Sequence, residues 1–211
     1  LAHIPHIIIG GGPVSTELHD ALQCCMGEVY STYGMTETLS HIAMRRLNGP
    51  LQDEWYTPLP GVEISLSPNR SLVIHAPSLS KEKLFTHDIA EINERGQFRI
   101  LGRTDNIITS GGIKISPEIL EQRIGMMGIP YMFTAVQDPV LGQALTLLYS
   151  AESPDITPNA VIARLEGSLS RYERPRYIFN VPALPFTETG KPARARAQAM
   201  AEKLVKDAAD N

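Results

Sequence analysis

The chain has 211 residues, 43% of them hydrophobic and 20% charged, a composition of ordinary globular protein and a length for one large or two small domains. Its 19 Lys and Arg against 23 Asp and Glu leave a formal charge of −4, so no basic surplus points to nucleic acid or an anionic membrane as a general partner. Apolar runs such as Ile7 to Ile9 and Leu145 to Tyr149 are strand-sized, far below the roughly 20 residues a membrane-spanning helix needs.

Leu1 stands first, with no basic segment or cleavage site of a secretory leader after it. The start is expected to be a cut through a longer protein. Ile4 to Ile9 reads as a buried β-branched strand, stopped by Gly10-Gly11-Gly12-Pro13. Ser15 is placed to cap a helix running to about Met26, with Glu17 favourable in the first turn and Leu18, Leu22 and Met26 as its stripe. The adjacent Cys24 and Cys25 would make a strained disulfide and offer no metal spacing, so two reduced thiols of a cytoplasmic protein are expected. Glu28 to Ser31 is a short strand, and a polar loop begins at Tyr33-Gly34.

From Pro58 to Arg99 the pattern is short strands and turns: Val62 to Leu66, Leu72 to His75, and Phe98 to Leu101 after the Arg95-Gly96 turn. A boundary falls near Arg103 to Ile108. Ser116-Pro117-Glu118 starts a helix, with Ser as cap and Pro at the first position. Ile119, Leu120 and Ile124 are its apolar residues. Tyr131 to Gln137 and Ala144 to Ser150 are strands. Thr157-Pro158 starts a second helix with Val161, Ile162, Leu165 and Leu169 on one side; Tyr177 to Val181 is a strand, and Ala193 to Val205 a final helix.

Three glycine-containing segments can carry chemistry. Gly10-Gly11-Gly12 lies between a strand and a helix, where backbone can approach a ligand; no Gly-Lys-Ser/Thr follows, so it is not a Walker loop. Tyr33-Gly34-Met35-Thr36-Glu37-Thr38 sets a hydroxyl beside a carboxylate after a strand, a pairing that suits a phosphate and magnesium. Thr189-Gly190-Lys191-Pro192 carries a lysine on a glycine turn. Each has a plain structural alternative: a tight turn, a capped turn and a solvated surface lysine.

Their order, with Thr86-His87-Asp88, Gly102-Arg103-Thr104-Asp105-Asn106, Ser110-Gly111-Gly112 and Pro117-Glu118 between them, resembles the adenylate-forming superfamily of acyl-CoA synthetases, luciferase and peptide-synthetase adenylation domains. Within it, the Gly-Gly-Gly-Pro turn, the Tyr-Gly-Met-Thr-Glu-Thr loop and Pro58-Leu59-Pro60-Gly61 are similar to the o-succinylbenzoate–CoA ligases of menaquinone biosynthesis. The resemblance implies a mixed α/β and α+β fold. Residues 1–102 would close a large AMP-binding domain with a small β-rich subdomain, 103–109 would be a hinge, and 110–211 a mobile C-terminal domain.

It also implies an acid–CoA ligase acting through an acyl-adenylate on ATP, magnesium, coenzyme A and a small-molecule acid. Other aryl- or acyl-CoA ligases, an adenylation domain loading a carrier protein, and a non-catalytic module are the alternatives. By likeness, Gly10, Gly11 and Gly12 would line the acyl and adenine pocket, and Tyr33 would lie near adenine. Thr36 would contact the phosphate and Glu37 would bind magnesium. Asp88 and Arg103 would hold the ribose, although His87 replaces the family's glycine and puts the local backbone path in question. Asp105 would be the hinge residue. Lys191 would serve adenylation, and Gly111 and Gly112 thioester formation. The family's Ser/Thr/Gly-rich phosphate loop is not in this sequence, so a missing N-terminal part of the same protein is the expected partner. The chain by itself is expected to adenylate poorly.

Overall fold

A computed structural model describes residues 4–12, 14, 16–153, 156–188 and 190–210. The chain divides into two compact units, Leu1–Thr104 and Asp105–Asn211.

The first unit opens with a β-α-β element. Strand β1 (His6–Ile9), helix α1 (Thr16–Leu22) and strand β2 (Glu28–Gly34) follow one another, and β1 and β2 pair in parallel from His6 opposite Glu28 to Ile9 opposite Ser31. A parallel pair needs a crossover, and α1 provides it. Strands β3 (His41–Arg46) and β4 (Thr57–Pro58) extend the sheet antiparallel, in the order β1-β2-β3-β4. Gly27 lies where a side chain would strike the Ile4 carbonyl oxygen at 2.1 Å, so only glycine lets the chain enter β2 there.

Two expectations change here. The strand read as buried is half open: Ile7 and Ile9 pack against Leu22, Val29 and Leu47 on one face, while Ile8, on the other, is 57% exposed. The helix expected to reach Met26 ends at Leu22; of its expected stripe Leu22 is buried while Leu18 and Met26 are exposed. The turn residue Pro13, the cap expected of Ser15 and the side chain of Glu17 fall outside the description.

A four-stranded antiparallel meander completes this unit: β5 (Glu63–Leu66), β6 (Ser71–His75), β7 (Leu84–Ile92) and β8 (Phe98–Arg103), in that order. Its apolar face joins the first sheet in one core of Ile42, Ala43, Leu72, Ile74, Ala90 and Phe98.

The second unit is a sheet covered on both faces. Strands β9 (Ile108–Ser110) and β10 (Ile113–Ile115) form a hairpin; helix α2 (Pro117–Ile124) leads to β11 (Tyr131–Asp138) and β12 (Gly142–Tyr149); helix α3 (Pro158–Leu165), strand β13 (Tyr177–Asn180) and helix α4 (Arg194–Ala209) follow. Strand β12 pairs antiparallel with β11 and parallel with β13, and meets β9 at Gly142 opposite Ser110. Side chains alternate faces along a strand. Phe133, Ala135, Leu145 and Leu147 therefore pack with Leu120, Val161 and Leu165 of α2 and α3. Met132, Val136, Ala144 and Leu148 pack with Ala197 and Ala201 of α4. Burial on both faces explains why β11 and β12 read as nearly unbroken apolar runs.

The helix starts follow the expected chemistry. The Ser116 hydroxyl accepts from the Ile119 amide, the Thr157 hydroxyl accepts from the Ala160 amide at 3.3 Å, and Pro117 and Pro158 take the first helical positions. Among the described residues no helix is long and apolar enough to cross a membrane.

Candidate functional site

The first group of site residues is assembled by β2, β7 and β8. Asp88 on β7 and Arg103 on β8 are direct cross-strand partners. The Arg103 guanidinium donates to Asp88 Oδ1 at 2.9 Å, and the Tyr33 hydroxyl donates to Asp88 Oδ2 at 2.5 Å. Asp88 is largely covered, with its side chain 14% exposed, while Arg103 is 45% exposed at the rim.

Tyr33 is the last residue but one of β2, just before a bulge, and is held by aromatic neighbours. Its ring meets Phe98 edge-on at 5.2 Å and Tyr56 at 6.0 Å, while Tyr56 stacks on Phe98 at 5.6 Å. Burial, then the charge of Asp88, raises the Tyr33 hydroxyl far above the usual phenol range, so it stays protonated and acts as a donor. Each carboxylate oxygen of Asp88 has one protein donor in this arrangement and a lone pair left to accept another. That is a poised acceptor for paired hydroxyls. An exposed Asp–Arg pair by itself would be worth little to stability.

Thr86, adjacent to the pair in sequence, was not assigned a role from sequence. It is buried, donates to the Leu72 carbonyl at 2.9 Å and accepts from the Asp88 amide at 3.1 Å, fixing the strand that presents the carboxylate. The only signal was its place two residues before Asp88. His87 lies within β7, has an ordinary negative φ, and its ring nitrogen meets the Thr104 hydroxyl at 3.2 Å. The backbone path questioned on sequence is an irregular stretch of β7: the ladder to β6 shifts register between Phe85 and Ile89, and the Asp88 amide bonds the Thr86 hydroxyl.

Directly after Tyr33 the chain makes a 3-10 turn, Thr36–Thr38, with Thr36 and Glu37 exposed. Thr38 is the latch of this loop: its hydroxyl accepts from the Met35 amide at 3.0 Å and lies 2.9 Å from the Met35 carbonyl and 2.7 Å from that of Ser40. Leu39 follows in the left-handed region at φ 59°. Gly34 is sterically required, since a Cβ there would lie 2.5 Å from the Ser40 carbonyl oxygen. Gly10, Gly11 and Gly12 leave β1 exposed; Gly11 has φ +91° and open space around it, and a Cβ at Gly10 would meet the Thr32 hydroxyl at 2.8 Å.

The second group belongs to the other unit. Gly111 and Gly112 are the two-residue turn of the β9–β10 hairpin, with φ +56° and +83°. Positive φ at both positions is the tight hairpin geometry that glycine suits. Lys191 is exposed on a separate turn, where its amide is 3.0 Å from the Thr187 hydroxyl and its carbonyl accepts from the Thr187 amide at 2.8 Å; Thr189 falls outside the description. Asp105 is the middle residue of a 3-10 turn, Thr104–Asn106. A cavity of about 300 Å³ in this unit is lined by Asp105, Asn106, Pro117, Phe133, Arg194 and Gln198, among others.

Among the described residues no cluster of three His, Cys, Asp or Glu could by itself enclose a metal ion. A magnesium ion that keeps most of its shell as water and phosphate oxygens needs one or two carboxylates, and the exposed Glu37 is of that type.

No family model matches the chain. It is 29% identical to 2-succinylbenzoate–CoA ligase of Staphylococcus epidermidis over 91% of its own length and 45% of that protein. It is also 29% identical to the enzyme of Staphylococcus aureus, over 90% and 43%. The chain thus spans a little under half the length of these curated relatives. Its fold matches ATP-bound MatB from Rhodopseudomonas palustris with a TM-score of 0.80, at 21% identity, over 93% of this chain and 45% of that one. It matches o-succinylbenzoate CoA synthetase of Bacillus subtilis, in complex with ATP and magnesium, with a TM-score of 0.70, at 21% identity, over 90% and 46%. The chain is thus similar in sequence, over nine-tenths of its length, to 2-succinylbenzoate–CoA ligases, and it shares its fold with the matching parts of MatB and o-succinylbenzoate CoA synthetase.

Proposed function

We propose that the chain is part of an ATP-dependent acid–CoA ligase whose acid is o-succinylbenzoate. The observation that carries the nucleotide side of this reading is the Tyr33–Asp88–Arg103 arrangement. It offers a fixed, doubly anchored carboxylate to the 2′- and 3′-hydroxyls of a ribose, with a guanidinium alongside. The acid rests on sequence likeness to the 2-succinylbenzoate–CoA ligases.

The reaction has two halves. The substrate carboxylate attacks the α-phosphorus of ATP, forming an acyl–phosphate bond as pyrophosphate leaves. The thiol sulfur of coenzyme A then attacks the acyl carbon, losing its proton to solvent, and AMP leaves. In the first half Thr36 would contact the α-phosphate and Tyr33 would lie close to the base. Lys191 would place its ammonium against the charge developing on the phosphorane oxygens. Magnesium, held by Glu37 and phosphate oxygens, would neutralise charge on the nucleotide. Gly10, Gly11 and Gly12 would line the pocket with side-chain-free backbone. In the second half the Gly111-Gly112 turn would face the acyl-adenylate. Asp105 would be the hinge about which the second unit turns from one half to the other. Handling of ATP and coenzyme A favours a cytoplasmic setting.

The test uses the full-length enzyme that carries this chain. Lys191→Ala is expected to slow ATP–pyrophosphate exchange by about 100-fold or more, while transfer from preformed acyl-adenylate to coenzyme A persists. Unchanged exchange would remove the mechanism. o-Succinylbenzoate is expected to be preferred over benzoate and short fatty acids as acceptor of AMP; an equal or reversed preference would remove the substrate.

A further inference from the structure

The Gly111-Gly112 turn is braced by a second turn, the one joining β11 to β12. The Gly111 amide donates to the Leu141 carbonyl at 2.9 Å. The Leu141 side chain packs over the glycine so closely that a Cβ on Gly111 would lie 3.3 Å from it, whereas Gly112 is open. The Thr109 amide adds a bond to the Gln143 side chain at 2.7 Å. The hairpin therefore takes its position from the segment 139–143.

That segment takes its own shape from one carboxylate. Asp138 Oδ1 accepts from the amides of both Val140 and Leu141, at 2.9 and 2.8 Å. Its Oδ2 lies 2.9 Å from Arg176 Nη1, and the Asp138 side chain is only 2% exposed. The Arg176 amide in turn donates to the Leu145 carbonyl on β12 at 2.8 Å. A buried carboxylate with three donors ends β11 and sets the direction of the Leu141 carbonyl. We propose that Asp138 is a positioning residue that holds the Gly111-Gly112 turn in the geometry needed for thioester formation. This rests on the reading of that turn as the face used in the second half-reaction.

The distinction from ordinary structural support lies in selectivity. Loss of general packing would slow both half-reactions together. Loss of this brace would displace the glycine turn and leave the Lys191 turn, a separate part of the unit, in place. Asp138→Asn keeps an oxygen for the two amides, so it would preserve much of the brace; Asp138→Ala would not.

The experiment uses the full-length enzyme with Asp138→Ala, Asp138→Asn and, as a control, Gly111→Leu. Expected for Asp138→Ala is at least a tenfold slower transfer from acyl-adenylate to coenzyme A, with ATP–pyrophosphate exchange within twofold of the parent. Amide exchange in peptides covering 109–115 should rise tenfold or more. Asp138→Asn should recover most of both. Equal slowing of the two half-reactions, or unchanged exchange in 109–115, would overturn the inference. If Gly111→Leu left thioester formation intact, the reading of the glycine turn would fall and the inference with it; if Gly111→Leu slowed it and Asp138→Ala did not, the inference alone would fall.

Discussion

Arg194 and Glu121 form a two-pronged ion pair that ties the first residue of α4 to α2: Nη1 to Oε1 at 2.7 Å and Nη2 to Oε2 at 2.5 Å. Both also bind the Phe133 backbone, Arg194 through the carbonyl at 2.9 Å and Glu121 through the amide at 2.8 Å. A cation at a helix N-terminus opposes the helix dipole. Arg194 is tolerated there because Glu121 and Phe133 hold it from outside the helix. With side chains 14% and 22% exposed, removing one partner leaves the other poorly solvated. Arg194→Ala should cost on the order of 3 kcal/mol in urea unfolding. Replacing both residues by Met and Leu should recover only part of that, because the Phe133 amide and carbonyl lose their partners; a double variant as unstable as the single one would contradict the account.

Gly34 and Gly61 should respond differently to alanine. At Gly34 the added methyl lies 2.5 Å from the Ser40 carbonyl oxygen and 2.8 Å from the His41 Cα, both backbone atoms. The loop carrying Thr36 and Glu37 must shift, and a loss of about 3 kcal/mol is expected. Gly61 has φ +83° with nothing near the added methyl, so only backbone strain of about 1 kcal/mol is expected. Thermal unfolding of the two variants side by side decides whether contact or dihedral dominates.

Tyr33→Phe separates the hydroxyl from the ring. The ring contacts with Phe98 and Tyr56 remain, so stability should change by only about 1 kcal/mol. If Asp88 receives a ribose, loss of its phenol donor should weaken AMP binding by about tenfold in calorimetry on the full-length enzyme. Binding unaltered by Tyr33→Phe and by Asp88→Asn would remove the carboxylate from the nucleotide site.

Acid should destabilise the fold through named carboxylates. The amides of Leu141 and Val140, with Arg176 beside them, hold the Asp138 carboxyl below the usual range. At Glu173 burial acts in the opposite sense, but hydrogen bonds from Arg123 and Ser170 outweigh it and the carboxyl is again lowered. A carboxyl lowered on folding adds stability that is present above its unfolded value, about 4, and is lost as pH falls through the lowered folded value. Urea midpoints should therefore be flat in this respect from pH 7 to about 5 and fall below about 4. Glu173→Gln should make that fall shallower. An identical acid limb in the variant would show that Glu173 does not contribute.

Local chemistry along the chain determined a good deal. Ser116-Pro117 and Thr157-Pro158 start helices because a hydroxyl cap and a proline act within one turn of backbone. The apolar runs of β11 and β12 mark strands buried on two faces, and Gly111-Gly112 makes a hairpin because two consecutive positive φ values need residues without a Cβ penalty. The order of the motifs was enough to suggest the superfamily. Tertiary structure alone decided the rest. The strand His41–Arg46 begins and ends in polar residues, and Leu84–Ile92 carries a bulge that breaks its alternation, so both exist through pairing with neighbours rather than through their own pattern. It is the folded sheets that bring Tyr33 to Asp88 across 55 positions of sequence, and the second hairpin that sets Leu141 over Gly111. Short-range sterics are written into a few adjacent residues, whereas contacts between distant segments depend on every strand that must pair before they can meet.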